Sequence, residues 1–245
     1  MPKPFLILQL RPETEASDNE FEAFLDKSRL PAGRVRRVRL DQEALPAGLD
    51  LADYAGVIVG GGPGCVSNPP DRKSSLEKRI EEAALAVVSE AVARDAPFLG
   101  CCYGIGILAR HLGGGVSMER FSEEVGVSTC ALTEDGRDDP LLEGLPDEFD
   151  AFVGHKEAVQ DLPDGCVHLL ASAPCPFQMI RRGSNVYATQ FHPEADPDGF
   201  HLRIDIYKDY GYFPPEDAKR LHDIVDAADV HAPMRILENF AARYG

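Results

Sequence analysis

The stretch PFLGCCYGIGILARHLGG, residues 97–114, runs from a short apolar strand straight into a helix and carries two cysteines at the junction. Pro97–Gly100 reads as the strand and Ile105–Leu112 as the helix, stopped by Gly113-Gly114-Gly115. A strand that turns directly into a helix strains the backbone at the bend. It calls for small residues two positions before and after the bend, where side chains would collide. For Cys102 those positions are Gly100 and Gly104; for Cys101 they are Leu99 and Tyr103, both too bulky. The spacing therefore selects Cys102 as the nucleophile and leaves Cys101 as a buried neighbour. The first helical turn is expected to lower the thiol's pKa, and the Tyr103 N–H can face a developing oxyanion. A free cysteine is more often a small core residue, but two glycines flanking it at such a junction argue against that here.

Moving toward the N-terminus, Ala55–Val59 is an unbroken apolar run that ends in Gly60-Gly61-Gly62-Pro63-Gly64. It reads as a buried strand entering a tight loop. The loop lacks the GxGxxG spacing and the lysine of a phosphate-binding loop. At the carboxyl end of a parallel strand its free N–H groups can instead serve an oxyanion. Phe5–Leu10 and Val35–Leu40 read as further strands. Ser17-Asp18-Asn19-Glu20 has the spacing of a capping box, opening a helix through about Lys27. Ser75 to Arg94 carries helical apolar spacing.

Strands alternating with helices in this way imply an α/β chain with a mainly parallel sheet and helices on both faces. The second half departs from that rhythm. Val125–Leu132, Phe149–Val153, Val167–Ala171, Phe177–Arg182 and Val186–Gln190 are strand-like, with a hairpin turn at Arg182-Gly183-Ser184-Asn185. Helices return at Gly199–Tyr207, at Pro215–Ala227 from a helix-opening proline, and at Pro233–Tyr244.

Composition narrows the function classes. The 245 residues fit one large domain, and 44% hydrophobic residues suffice for a real core. The net charge of −16 repels phosphate backbones, so nucleic acid is not an expected partner. No apolar run approaches membrane-spanning length, and the N-terminus reads as a first strand rather than a signal peptide, which places the chain in the cytoplasm. The six cysteines lack paired spacing, so neither a disulfide framework nor a metal site is expected.

A thiol nucleophile needs a base, and the base needs an orienting group. The segment VYATQFHPEAD, residues 186–196, offers His192 and Glu194 at the end of a strand. Side chains two residues apart on an extended segment share a face, so the Glu194 carboxylate can lie beside the His192 ring. His-x-Glu alone is more often an exposed charge pair; beside the elbow it becomes part of a triad.

Taken in order, GGGPG, GCCYG and QFHPE resemble the class I glutamine amidotransferases, in particular stand-alone proteins similar to the glutaminase domain of GMP synthase. The likeness runs from about Phe5 to Glu194. LASAPCPFQMI (170–180) and FVGHKEAV (152–159) also look like this branch. The resemblance implies a flavodoxin-like open sheet, a smaller antiparallel strand region and C-terminal helices. Residues 1–245 would form a single domain, with a core of 1–196 and a helical extension of 197–245. It implies Cys102 as nucleophile, His192 as general acid/base and Glu194 as its orienter, with the backbone amides of Gly62 and Tyr103 as oxyanion donors. Gly61, Gly106, His155 and Glu157 would border the substrate. No cofactor is implied. The implied reaction is attack on a γ-glutamyl amide, release of ammonia or an amine, and breakdown of a thioester, with a separate synthetase or acceptor protein as a partner.

One position departs from the pattern. The family usually carries Gln four residues after the nucleophile, and here that residue is Gly106. The change removes a polar contact worth about 1–3 kcal/mol. Restoring it with Gly106→Gln is thus expected to improve use of glutamine. The alternatives are a γ-glutamyl peptidase acting without a synthetase, toward which Gly106 leans, and a silent binding module, which the intact triad disfavours.

Overall fold

The alternation along the first strand decides how the layers form. In the computed structural model, which describes residues 2–245, β1 (Phe5–Gln9) is buried throughout. Leu6 and Leu8 enter one hydrophobic cluster, and Phe5 and Ile7 enter another. The strand therefore needs a cover on each face.

The first half continues with α1 (Thr14–Ser28), β2 (Val35–Arg39), β3 (Val57–Val59), α2 (Ser75–Arg94), β4 (Phe98–Cys101), α3 (Tyr103–His111) and β5 (Val116–Ser117). Next come β6 (Glu123–Leu132), α4 (Glu134–Arg137), β7 (Glu148–His155), β8 (Ala158–Val159), β9 (Cys166–Ser172), β10 (Met179–Arg182) and β11 (Val186–Thr189). Three helices close the chain: α5 (Pro197–Tyr207), α6 (Ala218–Asp226) and α7 (Met234–Tyr244).

Nine strands make one sheet in the order β2-β1-β3-β4-β11-β10-β9-β6-β7. Neighbours from β2 to β11 run parallel. From β11 onward each pair is antiparallel, so the antiparallel region prolongs the same sheet. Strands β5 and β8 pair as a small separate ribbon. Ile80, Ala84, Val87 and Val88 of α2 and Ile105 and Leu108 of α3 pack on one face. Phe24 of α1 and Ile236, Leu237 and Phe240 of α7 pack on the other. The expected α/β architecture, with helices on both faces, is the one observed. A third cluster joins Phe152 of β7 to Phe200 and Ile204 of α5 and Leu221 and Val225 of α6. The Phe152 and Phe200 rings stack at 4.5 Å, which seats the α5–α6 pair beside the carboxyl ends of the central strands.

Two helix starts differ from expectation. The helix α1 begins at Thr14, a turn before the supposed capping box, and its N-cap Glu13 makes no side-chain cap bond. Ser17 and Glu20 are buried inside that helix, where Glu20 has a different task. A capping box does exist, on α2, where Ser74 and Glu77 exchange side-chain and backbone bonds. Pro215–Asp217 forms a 3-10 turn, and α6 proper starts at Ala218.

Candidate active site

Cys102 sits between β4 and α3 with φ 53° and ψ −95°, a conformation rare for any residue with a side chain. Its N–H donates to the Thr189 carbonyl of β11 at 2.8 Å, and its carbonyl accepts from Ile105 at 3.1 Å. Gly100 is sterically required: a Cβ there would lie 3.0 Å from the Gly104 backbone carbon. Gly104 is less constrained, since its own Cβ would meet nothing closer than Val59 O at 3.6 Å. The elbow thus rests mainly on the first of the two glycines.

Cys102 lines two adjoining small cavities, and Gly62, Gly154 and Tyr212 line both with it. Tyr103 is the first residue of α3, so its amide has no acceptor within the helix. Gly62 and Tyr103, the candidate oxyanion donors, both line the second cavity with Cys102. Burial pushes the Cys102 thiol up to about 12, against the pull of Arg11. The direction is opposite to the expected lowering, and desolvation is its largest cause.

His192 lines the first cavity with Cys102. Its Nδ1 lies 2.8 Å from Glu194 Oε1, and a carboxylate can only accept, so Nδ1 carries the hydrogen and Nε2 the lone pair. The contact is made through a turn and not along a strand: β11 ends at Thr189, and Ala195 N–H closes back on His192 O at 3.2 Å. Burial pushes His192 below the usual histidine range, with Arg203 and Arg11 adding to the effect and Glu194 opposing it. Burial would raise Glu194, but His192 and Arg203 override it and hold the carboxyl well below its ordinary range. The resting pair is a neutral imidazole beside an ionised carboxylate, the form a general base requires. Among the described residues no hydrogen bond joins the Cys102 thiol to the ring.

Three supporting residues carry no local signature in the sequence. Glu20 is fully buried; its Oε1 accepts from Arg11 Nε at 2.9 Å and from Gly61 N–H at 3.2 Å. It thereby ties α1 to the glycine loop. A Cβ at Gly61 would come within 2.7 Å of both Arg11 Nη2 and His192 Cε1, so Gly61 makes room for the ring. Arg11 also donates to Tyr207 Oη at 3.1 Å. Arg203 of α5 places Nη2 3.0 Å from Glu194 Oε1 and is 6% exposed.

His155, Glu157 and Gly106 line the second cavity. Glu157 Oε1 accepts from Val66 N–H and Oε2 from Ser67 N–H, each at 2.8 Å. A Cβ at Gly106 would lie 3.2 Å from Glu157 Oε1 and 3.3 Å from Val66 Cγ2. The space a glutamine would need is thus already bounded by a clamped carboxylate. The expectation for Gly106→Gln is reversed: it should lower glutamine use and destabilise the fold by about 1–3 kcal/mol through overpacking. Thermal unfolding beside glutaminase assays checks this; faster glutamine hydrolysis at unchanged stability would refute it.

A second set of buried ligand-type atoms, from Glu123, His155 and Cys175, lies within 4.8 Å of one another. Hydrogen bonds account for it: His155 bridges Glu123 Oε2 and the Glu157 carbonyl, each at 2.9 Å, and Gln178 donates to Glu123 at 2.6 Å. Cys175 is fully buried and lines neither cavity beside Cys102, so this set is no rival nucleophile.

The sequence profile "Glutamine amidotransferase class-I" matches residues 18–204, about three quarters of the chain. The chain belongs to that family. A glutamine-hydrolyzing GMP synthase of Thermosipho africanus is 33% identical over 179 residues, covering 69% of this chain and 31% of that protein. One from Thermomicrobium roseum is 32% identical over 173 residues, covering 69% and 29%. The chain thus spans about a third of the length of these relatives. Among solved structures, a glutamine amidotransferase from Thermotoga maritima matches 100% of this chain and 99% of its own at TM-score 0.76 and 19% identity. Another, from Methylobacillus flagellatus, matches 100% and 94% at TM-score 0.69 and 22% identity. At those identities the structural likeness speaks for the family's fold, including the C-terminal helices.

Proposed function

We propose that this family member is a cysteine-dependent hydrolase of γ-glutamyl amides, with Cys102 as nucleophile, His192 as general acid/base and Glu194 as its orienter. The supporting observation is the strained Cys102 elbow opening on a cavity that His192, tied to Glu194, also lines. His192 Nε2 takes the thiol proton as sulfur attacks the amide carbon, and the Gly62 and Tyr103 amides receive the oxyanion. The imidazolium then gives the proton to the departing nitrogen, and water cleaves the thioester to release glutamate.

The elbow assignment is tested by a glutamine-like diazo ketone, with the modified peptide identified by mass spectrometry. Modification of Cys102, lost in His192→Asn, supports the reading. An intact Cys102 under full exposure would leave a silent binding module as the better account. A separate synthetase or acceptor protein would take any ammonia released. We further propose that residues 1–245 act as one domain, since α7 supplies Ile236, Leu237 and Phe240 to the core under β1. No described helix is long and apolar enough to cross a membrane. Six free thiols suit the reducing cytoplasm in which we place the chain.

The pH dependence follows from the neutral pair. Because His192 titrates below 6.5, kcat/KM should rise on an acid limb below that value and stay flat into the alkaline range. A preformed thiolate–imidazolium pair would instead give a bell that falls as the imidazolium is lost. Stability should follow the same group. The unfolded chain binds a proton at 6.5 that the folded state resists, so this contribution is complete above 6.5 and is lost as pH falls through the folded value. Denaturant midpoints across that window check the sign.

A further inference from the structure

One pattern occurs on two successive helices: His201-x3-Asp205 on α5 and His222-x3-Asp226 on α6. Residues four apart on a helix share a face. On α5 that face lies to one side of the buried Phe200, Arg203 and Ile204, and on α6 to one side of the buried Leu221 and Val225. The two faces meet, and their pairs cross. His201 Nε2 donates to Asp226 Oδ1 at 2.9 Å, and His222 Nε2 donates to Asp205 Oδ1 at 3.1 Å. The two ring centroids are 4.7 Å apart.

These bonds settle the tautomers. A carboxylate only accepts, so each Nε2 carries its ring's hydrogen, and each Nδ1 of a neutral ring is left with a lone pair. Yet the two Nδ1 atoms face each other at 2.5 Å. Lone pairs that close repel, and the arrangement calls for an electron-pair acceptor between them. A shared proton would offset only one of the two carboxylate charges, whereas a divalent ion offsets both. A ring whose far N–H is held by a carboxylate is also the usual form of a metal-binding histidine. We propose that His201 Nδ1 and His222 Nδ1 form a two-histidine site for a divalent first-row transition ion, with Asp226 and Asp205 orienting the rings from behind.

Imidazole nitrogen suits Zn²⁺, Ni²⁺ or Cu²⁺, whereas Mg²⁺ and Ca²⁺ take oxygen ligands. Metal–nitrogen bonds of about 2.0–2.1 Å set neighbouring ligand nitrogens roughly 3 Å apart, so the rings must part by about half an ångström. The side chains are 24% and 28% exposed, which permits that shift and leaves the other coordination positions to water. Neither histidine lines a cavity beside Cys102, so the ion's role is to hold two helices together. It would pin α6 to the helix that brings Arg203 to Glu194.

The test titrates the chelator-treated protein with Ni²⁺, chosen because thiols compete for it less than for Zn²⁺. Binding is followed by calorimetry and by thermal unfolding. One ion should bind per chain and raise the unfolding midpoint, since it binds the folded state; Mg²⁺ should do neither. His201→Gln and His222→Gln should each weaken binding by at least about tenfold and remove the rise in midpoint. Asp205→Asn keeps both rings and should still weaken binding by about tenfold or more. Circular dichroism of the ion-free variants verifies their fold. Equal affinity in both histidine variants would place the ion on other groups and overturn the site. Absence of saturable binding up to about 1 mM Ni²⁺ would leave the rings a shared proton only, and overturns the site as well.

Discussion

Cys102→Ala should reduce turnover by at least about 10³-fold while Cys101→Ala keeps most of it, although the two thiols are neighbours in the chain. The contrast has a geometric cause. Cys101 is the last residue of β4, is fully buried and lines neither cavity, and burial holds its thiol well above the ordinary value. Cys102 stands one residue later at φ 53°, where the backbone swings its side chain out of the sheet and onto the walls of both cavities. Alanine at either position removes only a sulfur, so the fold should persist in both variants; circular dichroism and thermal unfolding verify that. Steady-state rates on a γ-glutamyl amide then separate the two. Equal loss in both variants, with the fold intact, would mean that the elbow does not select the nucleophile.

The strained bend at Cys102 was readable from sequence because the elbow is a local device. Gly100 and Gly104 flank one residue at fixed offsets, and the steric reason for Gly100 is the approach of the Gly104 backbone itself. The apolar spacing of α2 was legible for a similar reason, and its bounds agree with the pattern from Ser75 to Arg94. What the sequence hid is long-range. Glu20 looks like the last member of a capping box, yet its carboxylate is used 41 residues away on Gly61. Arg203 lies in a helix with weak apolar patterning, and only the turn through Ala195 brings it back to Glu194. No periodicity announces such a pairing. Strands β5 and β8 escaped notice because two residues are too few to show a period. The thiol's raised pKa was missed because sequence displays the helix that would lower it and conceals the burial that raises it.

Glu194→Gln should cost about 10³-fold or more in kcat and about 3–5 kcal/mol in stability, with the two losses separable. His192 Nδ1 and Arg203 Nη2 both approach the same oxygen, Glu194 Oε1, while Oε2 has no partner. A glutamine can therefore keep its carbonyl in the Oε1 place and leave both contacts and the histidine tautomer undisturbed. The charge is removed, and the amide NH2 placed at the Oε2 position adds buried donors that meet no acceptor. The imidazolium formed during attack then faces Arg203 and Arg11 with no counter-charge, which raises the barrier. In the resting state Arg203 is left as a buried cation without an anion, which lowers stability. The double variant Glu194→Gln/Arg203→Met removes that stranded charge, so its unfolding midpoint should recover much of the loss while kcat stays low. A double variant as unstable as the single one would show that geometry, and not the charge of Arg203, sets the cost. Near-normal kcat in Glu194→Gln would remove Glu194 from the mechanism and leave His192 to act alone.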